Sequence, residues 1–160
     1  MAINYSPKVG EILECDFGDF REPALNPVYD GLIPAEIRKR RLVTVVNGKL
    51  PNNCVLVVPI SSTQNKNAQD RGFHIPIPTA LITITDFYDR RDRWAITECI
   101  THVSKQRLSK VKHRGQPLND KLPRELMEEI QRALIKALNA GSLLAPVAAV
   151  APAAPAEEVQ

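Results

Sequence analysis

The sequence predicts a small, mainly β domain, an antiparallel sheet curled into a barrel, followed by a single C-terminal helix. Three observations predict it. Short β-rich runs follow one another through turns with no helical period between them. A four-residue apolar repeat begins only after Pro123. The chain has 160 residues, 44% of them hydrophobic, which is enough for one sizeable core and hardly for two.

Residues 10–17 (GEILECDF) and 41–47 (RLVTVVN) read as strands, and 54–62 (CVLVVPISS) as a third of near-continuous apolar character. Proline cannot donate to a ladder, so Pro59 predicts a bulge or strand end, with a bend near Ile60 and Ser61. Residues 73–77 and 80–86 (ALITITD) read as two further strands separated by Pro78. A charged turn at 89–93 leads into the last long strand, 94–103. The insertion 18–40 holds Pro23, Pro27, Gly31 and Pro34 and is too irregular for regular structure, and loops of that length are often functional.

Pro123 suits a first helical turn. Leu126, Ile130, Leu134 and Leu138 then recur every four residues, Ala133 and Ala137 widen the stripe, and Gly141 offers a stop. Residues 140–160 are almost only Ala, Pro and Val without an aromatic, so they read as a disordered tail on a folded domain of residues 1–139.

The formal charge of +3 understates an asymmetry: residues 140–160 carry two glutamates and no Lys or Arg, so 21 basic residues face 16 acids in 1–139, a net +5. Arg38, Lys39, Arg40 and Arg41 are consecutive, and Lys105, Arg107, Lys110, Lys112 and Arg114 are closely spaced. Such clusters favour a polyanionic partner, although a basic run is more often a solvated loop. Cys15, Cys54 and Cys99 are odd in number, far apart and set in apolar runs, which reads as buried thiols in a reducing compartment rather than a disulfide framework or zinc site. With no leader-like start and no run near the roughly 18 apolar residues of a spanning helix, the expectation is a soluble, cytoplasmic protein without a membrane partner.

The common hydrolytic signatures are missing from the sequence. His74, His102 and His113 are scattered and no cysteine pair has ligand spacing, so neither a metal nor a cofactor is expected. There is no Gly-rich phosphate loop and no G-x-S-x-G turn. What remains is Arg41 opening one strand and Ser61 closing the next. Taken alone, an arginine at a strand start is usually a solvated end residue and a serine after Pro-Ile a turn former.

The order of segments changes that weighting. GEILECDFGDF, IRKRRLVTVV, VLVVPISST and ECITHVSKQRLSKV, in this order and ahead of a terminal helix, resemble the PemK/MazF family of type II toxins, small SH3-like-barrel endoribonucleases. The resemblance covers residues 8–139 or so. It implies a metal-independent enzyme that cleaves single-stranded RNA by attack of the 2′-hydroxyl, leaving a 2′,3′-cyclic phosphate and a 5′-hydroxyl. By that resemblance the second-strand arginine falls on Arg41 and the third-strand hydroxyl residue on Ser61. The chemistry requires removal of the 2′ proton, a cation for the phosphorane and a donor beside the leaving oxygen. Arginine, with a pKa above about 12, suits charge stabilisation and not proton removal, so the base is left unassigned. Leu42 stands where the family usually has proline, the first loop is longer than in the simplest members, and Thr101 and His102 stand where many relatives carry Lys or Arg.

Around that pair, Arg38, Lys39 and Arg40 are candidates for the RNA backbone, with Ser62 beside Ser61. Phe17, Phe20 and Trp94 are candidate stacking platforms: Phe17 fits core packing better, Phe20 exposure, and Trp94 either. His74 and His102 are further candidate phosphate donors, although a lone histidine is more often structural or merely exposed. The resemblance also implies a homodimer and a co-expressed antitoxin. Two other classes compete, a barrel toxin that binds a topoisomerase without cutting nucleic acid and a non-catalytic RNA-binding module.

Overall fold

The computed structural model describes residues 2–18 and 37–144; the stacking candidate Phe20, most of the insertion and residues 145–160 lie outside them. Nine strands run β1 (Ile12–Asp16), β2 (Arg40–Asn47), β3 (Cys54–Ser61), β4 (His74–Ile77), β5 (Arg93–Ile96), β6 (Thr101–Ser104), β7 (Leu108–Lys110), β8 (Lys112–His113) and β9 (Gln116–Pro117). Among the described residues these strands are joined by two α-helices, α1 (Lys66–Asp70) and α2 (Arg124–Ala137). The main sheet is ordered β4-β5-β3-β2-β1-β7, with β6 also paired to β3, and every pairing is antiparallel. The expected antiparallel, barrel-like sheet with a terminal helix is therefore present, but among the described residues the pairing path stays open between β4 and β7.

The register sorts side chains onto two faces, because cross-strand partners project to the same side. Ile12↔Thr44↔Val58 and Ile60↔Ala95↔Ile75 lie on one face. There Ile12, Leu42, Val58, Ile60 and Ala95 meet the α2 residues Leu126, Met127, Ile130 and Leu134. Ile130 is fully buried; burying a side chain of that size contributes about 1.5–3 kcal/mol. The other face carries Leu13↔Val43 and Val45↔Val57, packed with Cys15, Val55, Val103 and Leu108 into a second, smaller core. Gly10 ties the start of β1 to α2: its φ of +84° suits glycine, Leu122 N donates to its carbonyl at 2.9 Å, and a Cβ there would sit 2.8 Å from Leu122 O.

Several expectations need correction. Residues 80–86 form no strand. A 3-10 turn at Thr79–Leu81 is followed by a loop whose backbone donors go to side chains: Thr83 N to Asp120 Oδ2 at 2.7 Å, and Phe87 N and Tyr88 N to Thr85 Oγ1 at 3.2 and 3.0 Å. The expected strand 94–103 is split into β5 and β6, because Thr97 turns inward and both its N and its Oγ1 bond to Phe73 O. Pro59 stays in register with Val43. The irregularity lies in β2 between Val45 and Asn47. Pro59 instead falls where β3 exchanges neighbours on its other edge, β6 pairing through Val57 and β5 from Ile60 onward. The helix ends earlier than expected: Leu138 caps it and is exposed, and Asn139, at φ +56°, takes the left-handed position assigned to Gly141. Gly141–Leu144 forms a further 3-10 turn. Cys15 is buried and its thiol is pushed up to about 12, chiefly by burial, whereas Cys54 and Cys99 are only half-buried.

Candidate functional site

Arg41 pairs with Cys15 of β1, and Ser61 pairs with Trp94 of β5, which in turn pairs with Pro76 of β4. Continuing the β2–β3 register two residues outward from Val43↔Pro59 sets Arg41 opposite Ser61. Arg41, Ser61, Trp94 and Pro76 thus form one row across four strands on the face that carries the smaller core. Past Pro59 that face leaves the core: Trp94 is half-buried and Pro76 exposed. The exchange of β6 for β5 at Pro59 takes the row past the end of the smaller core, with Ser61 itself still buried.

Within the row Arg41 is half-buried, and its Nε donates to Arg38 O at 2.9 Å, which fixes the plane of the guanidinium. Among the described residues no carboxylate lies within ion-pair distance of it. Lys39, between these two arginines, has φ +66°, uncommon for a side chain with a Cβ. Its backbone closes on the end of β1, Phe17 N donating to Lys39 O at 3.1 Å and Lys39 N to Gly18 O at 2.6 Å. That turn feeds Arg40 and Arg41 into β2 with opposite orientations. Ser61 is buried, and its Oγ accepts from Thr63 N at 3.0 Å, so the hydroxyl proton remains available to point elsewhere.

Arg41 also lines a polar cleft of about 190 Å³ at the same sheet end, together with Arg40, Ser62, Tyr88, Arg91 and Arg93. Arg93 is buried, lies 3.5 Å from Asp89 and stacks over the Tyr88 ring at 5.6 Å. Burial pulls its guanidinium below its ordinary value. Arg91 pairs with Asp89, and Tyr88 donates to Glu14 Oε1 at 2.8 Å; burial and that carboxylate push the Tyr88 hydroxyl up, keeping it a donor. Cys99 adjoins Arg41: burial and the Glu98 charge raise its thiol against the pull of the Arg41 charge.

Of the residues singled out in sequence, Arg38, Arg40, Arg41 and Ser62 converge with Ser61 and Trp94 on this end of the sheet. His74 shares the face but is buried, its Nε2 2.8 Å from Glu98 Oε1 and its Nδ1 without a hydrogen-bond partner among the described residues. The second basic cluster is largely taken up internally: Lys105 Nζ reaches Ser6 Oγ at 3.2 Å, Arg107 Nη1 reaches Asp16 O at 2.8 Å, and Lys110 pairs with Glu11 at 2.8 Å. Sequence reasoning does not find Phe87 and Tyr88, which fall between the expected strand 80–86 and the charged turn 89–93, nor Arg91 and Arg93 within that turn. The only available signal was the density of arginine at 90–93 beside two aromatics. No three His, Cys, Asp or Glu side chains cluster as metal ligands among the described residues, and no described helix is long and apolar enough to cross a membrane.

An antiparallel sheet backed by a C-terminal helix matches a known class. The model of the PemK-like, MazF-like toxins of type II toxin–antitoxin systems matches residues 8–138, and the chain belongs to that family. It is 45% identical over 148 residues to the uncharacterized protein YifN of Escherichia coli K12, covering 90% of this chain and 99% of that one. It is 48% identical over 140 residues to an uncharacterized protein of Haemophilus influenzae Rd, covering 88% and 95%. Among solved structures it resembles MazF from Deinococcus radiodurans, with a TM-score of 0.55 and 13% identity over 85% of this chain and 99% of that one. A second crystal form from that organism, the MazE–MazF complex, gives 0.51 and 14% over 85% and 98%. At those identities the solved structures speak for the fold alone.

Proposed function

We propose that this toxin is a metal-independent endoribonuclease that cleaves single-stranded RNA to 2′,3′-cyclic phosphate and 5′-hydroxyl ends. The observation that carries the reading is the row Arg41, Ser61, Trp94. It brings an oriented half-buried guanidinium, a buried hydroxyl with a proton to give and a half-buried aromatic ring to one strip at the end of the sheet. Arg41 stabilises the charge that develops on the phosphorane, its planar fork matching two phosphate oxygens, and Ser61 donates to the phosphate or the leaving 5′ oxygen. Trp94 holds a base, and Arg38, Lys39, Arg40 and Ser62 hold the backbone on either side. Membership of a toxin–antitoxin family supports an antitoxin as protein partner and a homodimer as the working form, both in the cytoplasm. A protein-binding toxin that poisons a topoisomerase has no use for a phosphate-shaped pair, which favours the nuclease.

The test uses purified full-length protein and end-labelled single-stranded RNA in EDTA. Cleavage should persist, leave cyclic phosphate and 5′-hydroxyl ends, and vanish when the nucleotide 5′ of the cut is 2′-deoxy, since the nucleophile is then missing. Cutting of the deoxy substrate at the same bond, or rescue by Mg²⁺ alone, sinks the mechanism.

A further inference from the structure

Phe87 is 88% exposed, the most open large apolar side chain among the described residues, yet the turn that carries it is tightly held. Thr85 is buried, its Oγ1 accepts from both Phe87 N and Tyr88 N, and its own N donates to Tyr88 O at 2.9 Å. Tyr88 is pinned beneath by Glu14 and Arg93. The backbone that carries the ring is therefore held in place, so binding there orders a side chain and not a loop. It borders the cleft lined by Arg40, Arg41, Arg91 and Arg93. Among the described residues that line it the one acid, Asp89, is shared by Arg91 and Arg93, and Asp16 lies 4.0 Å from Arg40, so positive charge is in excess among them.

We infer that Phe87 is a base-stacking platform for single-stranded RNA, a subsite that continues the Arg41–Ser61 row and holds one nucleobase while the neighbouring phosphates lie on the cleft arginines. The inference rests on the nuclease reading, because Arg41 belongs to both the row and the cleft. A flat ring with open faces beside a cationic, polar cleft suits a planar base joined to phosphates. A protein anchor instead seats an aromatic in a desolvated pocket, and this cleft is too polar and shallow to be the other half of one.

Binding is measured by fluorescence anisotropy on the full chain with a labelled 2′-O-methyl RNA oligomer, which cannot be cut, and with the same backbone carrying abasic residues. Phe87→Ala should weaken the RNA complex by about tenfold or more while leaving the weaker abasic complex unchanged. Phe87→Trp should retain affinity, and its added fluorescence should be quenched by RNA and not by the abasic strand. Ile84→Ala, which removes an exposed apolar side chain on the same loop, controls for general loosening and should match the parent. If Phe87→Ala binds RNA as the parent does, or weakens only a complex with a protein partner, the inference is overturned. The two readings fail separately: RNA cut normally by Phe87→Ala with parental affinity removes only the subsite. Stacking on Phe87 by a protein that never cuts RNA removes only the nuclease.

Discussion

Two clefts lie at opposite ends of β1, and each brings several cations to an aromatic ring. At the Asp16 end the cations are Arg40, Arg41, Arg91 and Arg93 beside Tyr88 and Phe87. At the Glu11 end they are Lys8, Lys110 and Lys121 beside Tyr5. The ends are separated by five residues, about 16 Å of strand. Their electrostatics differ in one respect. Glu11 is buried and takes one of these cations: Lys110 pairs with it at 2.8 Å while lying over the Tyr5 ring, Tyr5 donates to its Oε1, and the backbone N of Lys8 donates to its Oε2 at 3.0 Å. Lys110 also donates to Asn119 at 2.8 Å. No described acid takes Arg41 in that way. A cation closed on a buried acid, as Lys110 is, holds the fold together, whereas Arg41, which meets no acid among the described residues, is left open to an anion.

The largest effect expected from this contrast is on catalysis. Arg41→Ala and Ser61→Ala should each lower the cleavage rate about 10²- to 10³-fold, the loss typical of one transition-state donor, while circular dichroism and melting temperature stay close to the parent. Arg41→Lys should recover little, because a point charge does not reproduce the planar fork. Full activity in either alanine variant would place the chemistry elsewhere.

A smaller effect, on stability alone, belongs to the other cleft. Glu11→Ala leaves Lys110 and Lys8 N without their acceptor and should cost about 1–3 kcal/mol, read as a lower urea midpoint, with the cleavage rate of the folded protein unchanged. The pH profile has two limbs. Burial pushes the Glu11 carboxyl up, but the bonds from Lys110, Tyr5 and Lys8 N outweigh it and leave it below its ordinary 4.5. Its contribution is therefore present above pH 4.5 and lost as pH falls through the lowered value. Burial and the Glu11 bond raise Tyr5, and the Glu11 bond raises Lys110 against burial, so their contributions hold below their ordinary 10.0 and 10.5 and fade as pH rises through the raised values. Glu11→Ala should flatten both limbs.

How much of this was legible in the sequence differs between the same two regions. β1, β2 and β3 were readable because Leu13, Val43, Val45, Val57 and Val58 are buried β-formers in unbroken runs. The ITIT pattern of residues 82–85 misled because its threonines bond to Asp120 and to their own turn instead of a ladder, one of them across 37 residues. The short helix α1 has an Asn65 cap, Oδ1 accepting from Ala68 N at 3.1 Å, but five residues carry no periodic stripe. Arg41 and Ser61 emerged from the order of motifs and not from any property of either residue. Arg93 and Phe87 did not emerge, since they reach the cleft only through a turn about fifty residues from Arg41. The Glu11 cluster was equally invisible, because a glutamate opening a strand gives no sign that Lys110 will meet it across β7.

The smallest effect separates the clefts by salt. Arg40 is exposed and already 4.0 Å from Asp16, so its removal should weaken RNA binding only a few-fold near physiological ionic strength. Its signature is clearer in slope than in affinity: each phosphate neutralised on a single strand contributes about 0.7 to the fall of log K with log salt. Arg40→Ala should therefore flatten that line by about 0.7. Lys121→Ala, in the cleft at the far end of β1 from the Arg41–Ser61 row, should leave the slope where it was. An equal change in slope for Lys121→Ala would mean that RNA runs the length of β1 and that both clefts serve it, which would end the division drawn between them.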